Sequence, residues 1–199
     1  MDLVIAVPAS VMVAPIIVAA WCAASVSTGA NGFFVQRRVG RNGTEFPLIK
    51  LRSMRQVDGF DTTVTAKTDP RITRVGAMLR RTKLDELPQL FNVVAGHMSL
   101  VGPRPDVADY SGTLTGEDRI VLSVRPGITG PASLRFRDEE SLLALQPDPD
   151  DYNRRVIWPE KVAINRRYVE QWSFRKDLRY LIRTVWDFES DDVINNQKR

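Results

Sequence analysis

Cysteine and histidine are nearly absent from this chain of 199 residues, which contains one of each. The lone Cys22 cannot form an internal disulfide, and one cysteine with one histidine cannot make a zinc site of the usual Cys/His kind. Gly and Pro, twelve each, are too few for a collagen or a low-complexity linker protein. The sequence also lacks a P-loop and a Gly-x-Gly-x-x-Gly motif, which excludes the usual nucleotide-cradling loops. What remains fits a compact domain of ordinary size in a reducing compartment.

Charged residues are also absent from the N-terminal segment, between Asp2 and Arg37. Residues 3–24 are apolar apart from two prolines and one serine. As a helix, these 22 residues would reach about 33 Å, which matches the hydrocarbon core of a bilayer. No comparable apolar run follows. The sequence therefore predicts a membrane-associated segment at 1–32 and a soluble domain at 33–199.

Three structures remain open for the apolar segment. A cleaved signal peptide would begin with Lys or Arg, whereas this chain begins Met-Asp. A single spanning helix fits the length, and Arg37, Arg38 and Arg41 would then keep its C-terminal side in the cytoplasm. A re-entrant helix, which enters and leaves by the same face, fits Pro15 because proline removes a backbone donor near the middle of the segment. Both membrane structures place the following domain against the cytoplasmic side of the bilayer.

Residue patterns after this segment predict an α/β domain that is mostly helical with a short β-hairpin. Two strands, 33–38 and 46–54, flank an Asn-Gly turn at 40–43. Asp69 is expected to cap a helix that has Pro70 at its first position and ends near Arg81. Further helices are predicted at 84–94, 115–124 and 152–186, with a short extended piece at 99–101. The polar residues 56–67 are interpreted as a mobile loop.

Basic residues are concentrated in two stretches of a chain whose net charge is +4. Between Arg37 and Lys83 there are 12 Lys or Arg against 4 Asp or Glu. Between Arg154 and Arg183 there are 9 against 3. This distribution indicates an anionic partner, which could be phosphate, nucleic acid or acidic lipid headgroups.

Asp85 and Glu86 are adjacent carboxylates that closely follow the cations Arg80, Arg81 and Lys83. Asp85 is a reasonable N-cap for the predicted helix, which would make the pair structural. Alternatively, the cations attract a phosphate, and the carboxylate attacks it as a nucleophile to give an acyl phosphate. Mg²⁺ binds one or two carboxylates together with substrate phosphates, which also fits the pair. The spacing by itself leaves both interpretations open.

Several ordered blocks carry a more specific signal: Gln36–Gly40, Phe46–Met54, Arg80–Leu90, Ser99–Pro105 and Arg125–Gly130. Together with the proline-centred apolar segment, they resemble the polyprenyl-phosphate phosphoglycosyl transferases, the monotopic bacterial sugar transferase family. The resemblance extends over nearly the whole chain, and so many blocks in the same order are very unusual by chance.

The resemblance implies transfer of a sugar 1-phosphate from a UDP-sugar to a polyprenyl phosphate such as undecaprenyl phosphate, with release of UMP, as the first membrane step of glycan assembly. It implies a covalent intermediate on Asp85, with Glu86 beside it and Mg²⁺ bound by the pair. The substrate-binding residues that it implies are Lys50, Arg52, Arg80, Arg104 and Arg125. It also favours a re-entrant helix broken at Pro15, which would hold the catalytic domain on the cytoplasmic face of the inner membrane.

Two other functions compete with this one. A non-catalytic relative would act as a membrane scaffold in a glycan-assembly complex, although a scaffold has no need for the carboxylate pair and its cations. A nucleic-acid-binding protein is suggested only by the basic charge, and the sequence has no helix-turn-helix, zinc or RNA-binding signature. We therefore expect a UDP-sugar, a lipid phosphate and membrane lipid as partners, and no nucleic acid. Whether copies of the chain form a homo-oligomer is left open.

Overall fold

A computed structural model describes residues 1–56 and 69–186 of the chain. Within these ranges the α-helices are α1 (Asp2–Thr28), α2 (Arg74–Arg81), α3 (Gln89–Val94), α4 (Ala108–Ser111), α5 (Pro131–Arg135), α6 (Glu139–Leu143), α7 (Pro149–Tyr152), α8 (Trp158–Glu170) and α9 (Phe174–Trp186). The strands are β1 (Phe33–Val39), β2 (Glu45–Leu51), β3 (Ser99–Val101) and β4 (Gly127–Thr129). The predicted class, a mostly helical domain with small sheets, is confirmed. The predicted loop at 56–67 lies, apart from its first residue, outside the described residues.

Helix α1 is long and apolar enough to cross a membrane by length and composition. It runs through Pro8 and Pro15, and the hydroxyl of Ser10 donates a hydrogen bond of 2.6 Å to the carbonyl of Ala6. Large apolar side chains face outward along it: Val4, Val11 and Met12 are 79%, 73% and 76% exposed. The face that packs on the domain is made mostly of small residues, namely Ala6, Ser10, Ile17, Ala20 and Ala24. The re-entrant path through a bilayer stays a prediction.

The predicted hairpin is confirmed. Strands β1 and β2 pair antiparallel from Phe33 opposite Leu51 to Val39 opposite Glu45. The turn contains Asn42 and Gly43 with positive φ angles of 57° and 79°, which explains the Asn-Gly signal. The second strand is shorter than predicted, because after Leu51 the chain turns toward α2.

The N-terminus of α2 differs from the sequence prediction. The helix begins at Arg74, and its cap is Thr73, whose hydroxyl accepts a hydrogen bond of 2.9 Å from the backbone of Gly76. Asp69 is not the cap: its carboxylate accepts from the backbone and the guanidinium of Arg71, at 2.9 and 2.7 Å. The Asp69 carboxylate, which was predicted to cap the helix, is therefore bound by Arg71 instead.

A second, parallel pair of strands joins the middle of the domain. The extended piece predicted at 99–101 is confirmed as β3, and it pairs with β4, which the sequence did not predict. A Cβ at Gly127 would lie 2.1 Å from the backbone nitrogen of Gly102, so the close approach needs glycine at this position. The pairing brings the start of the Arg125–Gly130 block beside the Ser99–Pro105 block.

Two apolar clusters form the core, and α1 contributes to both. The first cluster contains Ala6, Phe46, Leu48, Val93, Met98, Leu100, Val101 and Tyr168. The second contains Ala20, Ala24, Leu51 and Leu79. The apolar segment is therefore packed into the domain along its length, with its ends in different clusters.

The C-terminal part is helical, as predicted for 152–186. It comprises the end of α7, a π-turn at Asn153–Ile157, α8 and α9. The buried carboxylate of Asp177 accepts hydrogen bonds of 2.8 Å from the hydroxyl of Tyr168 and the indole of Trp172, which fixes the corner between α8 and α9. The helix predicted at 115–124 is present as a 3₁₀ helix at Gly116–Ser123. Several apolar side chains of α9 face outward: Phe174, Leu178, Ile182, Val185 and Trp186.

Candidate functional site

A sharp backbone turn presents the two adjacent carboxylates. Lys83 has a positive φ of 56°, which is uncommon for a residue with a side chain, and Leu84–Glu86 then forms a single 3₁₀ turn. The helix predicted at 84–94 is thus divided, because α3 begins only at Gln89. Asp85 lies inside the 3₁₀ turn and does not cap a helix. The structural interpretation of Asp85 as an N-cap is therefore wrong.

Glu86 is held by Arg104. Two hydrogen bonds, of 2.5 and 3.2 Å, join the guanidinium to the two carboxylate oxygens. Burial by itself would raise the pKa of Glu86, but the charges of Arg104 and Lys50 outweigh it and hold this pKa well below its usual range. Glu86 is therefore ionised at every physiological pH, and it fixes the position of Arg104.

Asp85 has the opposite character, although it is the next residue. Its side chain is buried, and its Oδ1 has no hydrogen-bond partner within the described parts of the chain. Burial, together with the negative charge of Glu86, raises the pKa of Asp85 from 3.8 to about 6. The carboxylate is mostly ionised at neutral pH, and one of its oxygens is left available for a new bond or a ligand.

Cations surround this pair on several sides. Burial, followed by the charge of Arg104, lowers the pKa of Lys50 on β2 to about 8. Lys50, Arg80 and Lys83 all lower the pKa of Asp85 and so oppose its protonation. This arrangement suits a dianionic or trianionic ligand beside the Asp85 carboxylate, because such a ligand adds charge that the cations neutralise.

Arg80, at the end of α2, is already engaged. Its guanidinium donates to both carboxylate oxygens of Glu140, in α6, and forms an ion pair with this residue. The same guanidinium donates to the hydroxyl of Ser53 at 3.2 Å. Ser53 was not among the predicted site residues.

The remaining predicted residues lie in different places. A large open cavity is lined by the carboxylate pair and its cations, and also by Arg52. The guanidinium of Arg52 donates to the carbonyl oxygens of Asn31 and Phe33, at 2.7 and 3.3 Å, and stacks over Phe34. Arg125 has an exposed side chain and is not among the residues that line this cavity. The structure therefore brings five of the seven predicted residues into electrostatic contact: Lys50, Arg80, Asp85, Glu86 and Arg104. Arg52 shares only the lining of the cavity with them.

Arg38 is a further cation of the site that the sequence analysis missed. Its Nε is buried and has no hydrogen-bond partner among the described residues, and burial lowers its pKa. A usable signal was present, because side chains alternate along a strand and Arg38, opposite Phe46, lies on the hairpin face that also carries Lys50. The period of two therefore places both cations on one face.

The residues present fit a divalent cation only with help from a ligand. No group of three or more His, Cys, Asp or Glu side chains that could hold a metal occurs in the described ranges. The unpartnered Oδ1 of Asp85 is a suitable oxygen ligand, whereas both oxygens of Glu86 are used by Arg104. Such a site suits Mg²⁺, which usually takes one or two carboxylates and completes its shell with water and substrate phosphates.

Comparison with known families agrees with this geometry. The family model described as bacterial sugar transferase matches residues 1–190. The chain therefore belongs to the bacterial sugar transferase family, whose match includes the carboxylate pair, its cations and helix α1.

Individual relatives also match nearly the whole of this chain. The chain is 36% identical over 193 residues to the UDP-glucose:undecaprenyl-phosphate glucose-1-phosphate transferase of Xanthomonas campestris pv. campestris, a match that covers 92% of this chain and 37% of that protein. It is 35% identical over 190 residues to the protein of the same name from Caulobacter vibrioides, covering 93% of this chain and 67% of the relative. The undecaprenyl-phosphate galactose phosphotransferase of Salmonella typhimurium is 33% identical over 200 residues, covering 92% and 38%. The chain thus spans from about a third to about two thirds of these relatives' lengths.

Proposed function

We propose that this protein transfers a sugar 1-phosphate from a UDP-sugar to a polyprenyl phosphate and releases UMP. The observation that carries the proposal is the buried Asp85 carboxylate, with one unpartnered oxygen, among Lys50, Arg80 and Lys83. An anionic nucleophile needs such cations in order to approach a phosphate that is itself negative. The relatives named for undecaprenyl-phosphate sugar-phosphate transfer support the same reaction.

The reaction proceeds in two displacements at one phosphorus atom. In the first, an oxygen of Asp85 attacks the phosphorus that bears the sugar, the bond from this phosphorus to the bridging oxygen breaks, and UMP leaves with that oxygen. In the second, an oxygen of the lipid phosphate attacks the same phosphorus. The bond to Asp85 then breaks and restores the carboxylate, and the product is a lipid diphosphate sugar.

The surrounding charged residues have distinct roles in these two displacements. Lys50 and Lys83 stabilise the negative charge that accumulates on the phosphate oxygens in each displacement, and Arg80 stabilises the charge on the departing UMP in the first. Glu86 holds Arg104 beside the site through its two hydrogen bonds, so the guanidinium is in place before the substrate arrives. The raised pKa of Asp85 makes this carboxylate a better nucleophile than a strongly acidic one would be, while it stays mostly ionised at neutral pH.

Mg²⁺ is the cofactor that we propose for this site. When bound, it would neutralise diphosphate charge and polarise the bond that breaks. The ligand that this chain offers is the unpartnered oxygen of Asp85. Glu86 contributes to the cation through its negative charge rather than by a direct bond, as long as Arg104 occupies its oxygens.

The acceptor places the reaction at a membrane surface, and two elements suit that location. The outward side chains of α1 are apolar, and α9 exposes an apolar stripe among the basic residues Arg175, Lys176 and Arg179. Trp186, at the end of this stripe, is 78% exposed, and tryptophan is favoured at the membrane interface. We propose that α1 enters the inner membrane as a re-entrant helix and that the catalytic domain lies on the cytoplasmic face, beside the lipid phosphate.

UMP release tests the proposal directly. The detergent-extracted protein is supplied with undecaprenyl phosphate, Mg²⁺ and a panel of UDP-sugars, and Asp85→Asn is compared with wild type. We expect UMP from at least one donor, with loss of about a thousandfold or more in the variant, as for removal of a nucleophile. The matched control is Asp150→Asn, an exposed aspartate of α7, which should keep the wild-type rate.

Two results would contradict the proposal. An undiminished rate in Asp85→Asn would show that this carboxylate is not the nucleophile. A folded wild-type protein that releases no UMP from any donor would instead favour the scaffold interpretation.

A further inference from the structure

The strongest contact of Arg80 is with another part of the same chain. Glu140 approaches its guanidinium side-on, with one carboxylate oxygen at Nη2 and the other at Nε, 3.3 Å away. The residues are 60 positions apart, so the contact is a tertiary one between α6 and the end of α2. A carboxylate and a phosphate present the same pair of oxygens to this edge of a guanidinium.

The third nitrogen of Arg80 is also occupied. Its Nη1 donates to the hydroxyl of Ser53 at 3.2 Å and lies 3.8 Å from the sulfur of Met54. The Nε–Nη2 edge of the guanidinium is therefore closed to a phosphate while Glu140 is in place. A phosphate that forms a bidentate bond to Arg80 through this edge has to displace the Glu140 carboxylate.

We propose that Glu140 is a built-in competitor for the donor's phosphate at Arg80, which the substrate displaces on binding and which returns when UMP leaves. This inference rests on the proposed function, because it takes Arg80 as a phosphate ligand. It adds a residue to the reaction and assigns it a role in product release.

The environment of Glu140 permits this exchange. Its side chain is 39% exposed, whereas that of Arg80 is 19% exposed, so the carboxylate can turn toward water while the guanidinium stays in the site. The neighbouring Glu139 binds Lys161 of α8, at 2.6 and 2.7 Å. This second ion pair keeps α6 attached to the domain when the ion pair between Glu140 and Arg80 breaks.

Competition of this kind has a kinetic consequence. It lowers the affinity for the UDP-sugar by the free energy of the ion pair that has to break. It lowers the affinity for the departing nucleotide in the same way, so product release is faster. For a partly exposed ion pair, the effect on each dissociation constant is about two- to fivefold.

The test uses the full-length protein in detergent and UDP as the probe, with Mg²⁺ present. Isothermal titration calorimetry measures the Kd for UDP in wild type, Glu140→Gln and Glu170→Gln. We expect Glu140→Gln to bind UDP about two- to fivefold more tightly and Glu170→Gln, a control that removes another partly exposed, ion-paired glutamate outside the cavity, to bind like wild type. In turnover, Glu140→Gln should show a lower KM for the UDP-sugar and stronger inhibition by UMP.

Arg80→Gln separates this inference from the proposed function. If Arg80 binds the phosphate, this variant weakens UDP binding, and adding Glu140→Gln to it has no further effect. If Arg80→Gln leaves UDP binding unchanged, Arg80 is not a phosphate ligand and the premise itself fails. If Arg80→Gln weakens binding but Glu140→Gln does not strengthen it, the competition is refuted while the proposed function stands.

Weaker UDP binding in Glu140→Gln would also overturn the inference, because it would mean that the carboxylate holds Arg80 in its working position. Glu140→Asp guards against a general loss of structure, since it keeps the charge but shortens the side chain. We expect it to bind UDP with an affinity between those of wild type and Glu140→Gln, with an unchanged melting temperature.

Discussion

Replacing Asp85 by asparagine should stabilise the folded protein even as it abolishes the proposed transfer. Burial and the neighbouring Glu86 charge raise the pKa of Asp85 from 3.8 to about 6, so the folded state resists ionisation of this group. At pH 8 the group is ionised in both the folded and the unfolded chain. Keeping the charge in the folded state then costs about 3 kcal/mol, since each step of one in pKa corresponds to about 1.4 kcal/mol.

The pH dependence has a definite sign. Well below pH 3.8 the carboxyl is protonated in both states, and the cost disappears. At pH 4.5 the same two pKa values leave a cost of about 1 kcal/mol. Asparagine is nearly isosteric and carries no charge, so the stabilisation by Asp85→Asn should fall from about 3 kcal/mol at pH 8 to about 1 kcal/mol at pH 4.5.

Urea unfolding in detergent, followed by tryptophan fluorescence, measures this difference at the two pH values. Glu86→Gln serves as a control of opposite sign, because the folded-state pKa of Glu86 lies below its usual value. That variant leaves Arg104 without its partner, and its free energy of unfolding at pH 8 should be about 2 kcal/mol lower than that of wild type. The loss is smaller than for a fully buried ion pair because the Arg104 side chain is 34% exposed. A loss of stability in Asp85→Asn at pH 8, or an equal gain at both pH values, would refute the reasoning.

Three further outcomes follow from contacts described above. A carboxyl with a pKa of about 6, such as Asp85, is about 90% ionised at pH 7 and about 10% ionised at pH 5. The rate of UMP release should therefore fall about tenfold between these pH values. A flat pH profile would contradict the role of Asp85. A Cβ at Gly76 would lie 1.9 Å from the carbonyl oxygen of Ser53, so Gly76→Ala should lower the free energy of unfolding by about 1–3 kcal/mol in urea titrations. The side-chain amide of Asn92 donates to the carbonyl of Pro47 at 2.7 Å and accepts from the backbone nitrogen of Ile49 at 3.1 Å. Asn92→Ala should therefore lower the free energy of unfolding by about 2 kcal/mol and speed amide exchange in β2. A neutral effect would show that water replaces the side chain.

The parts of the fold that the sequence predicted are those with strong local signals. The hairpin depends on an Asn-Gly pair that accepts positive φ, and α1 on a long run without charge. The strands β3 and β4 are three residues long and pair across the chain, so no local pattern marks β4. Asp69 followed the rule for a helix cap, but Arg71 competed for its carboxylate, and such competition depends on tertiary position.

In the candidate site, too, features with a local sequence signal were predictable and features that depend on tertiary contacts were not. Asp85 and Glu86 are adjacent in sequence, yet their opposite pKa directions depend on Arg104, which a loop brings from 18 positions away. Arg38 was missed, although the alternation of side chains along β1 would have been sufficient to identify it. Glu140 had no such signal, because its contact with Arg80 spans 60 positions and depends on how α6 packs.

The small-residue face of α1 has a consequence for protein engineering. Ala6 belongs to one core cluster and Ala20 and Ala24 to the other, so deleting residues 1–28 would leave Phe46, Leu51 and Leu79 without part of their packing. A water-soluble version should therefore keep α1 and change only its outer surface. The positions to change to Lys, Glu or Gln are Leu3, Val4, Val7, Val11, Met12 and Val18, which are all exposed. The result would be a helical cover that still completes the core, and would allow the carboxylate pair to be studied without detergent.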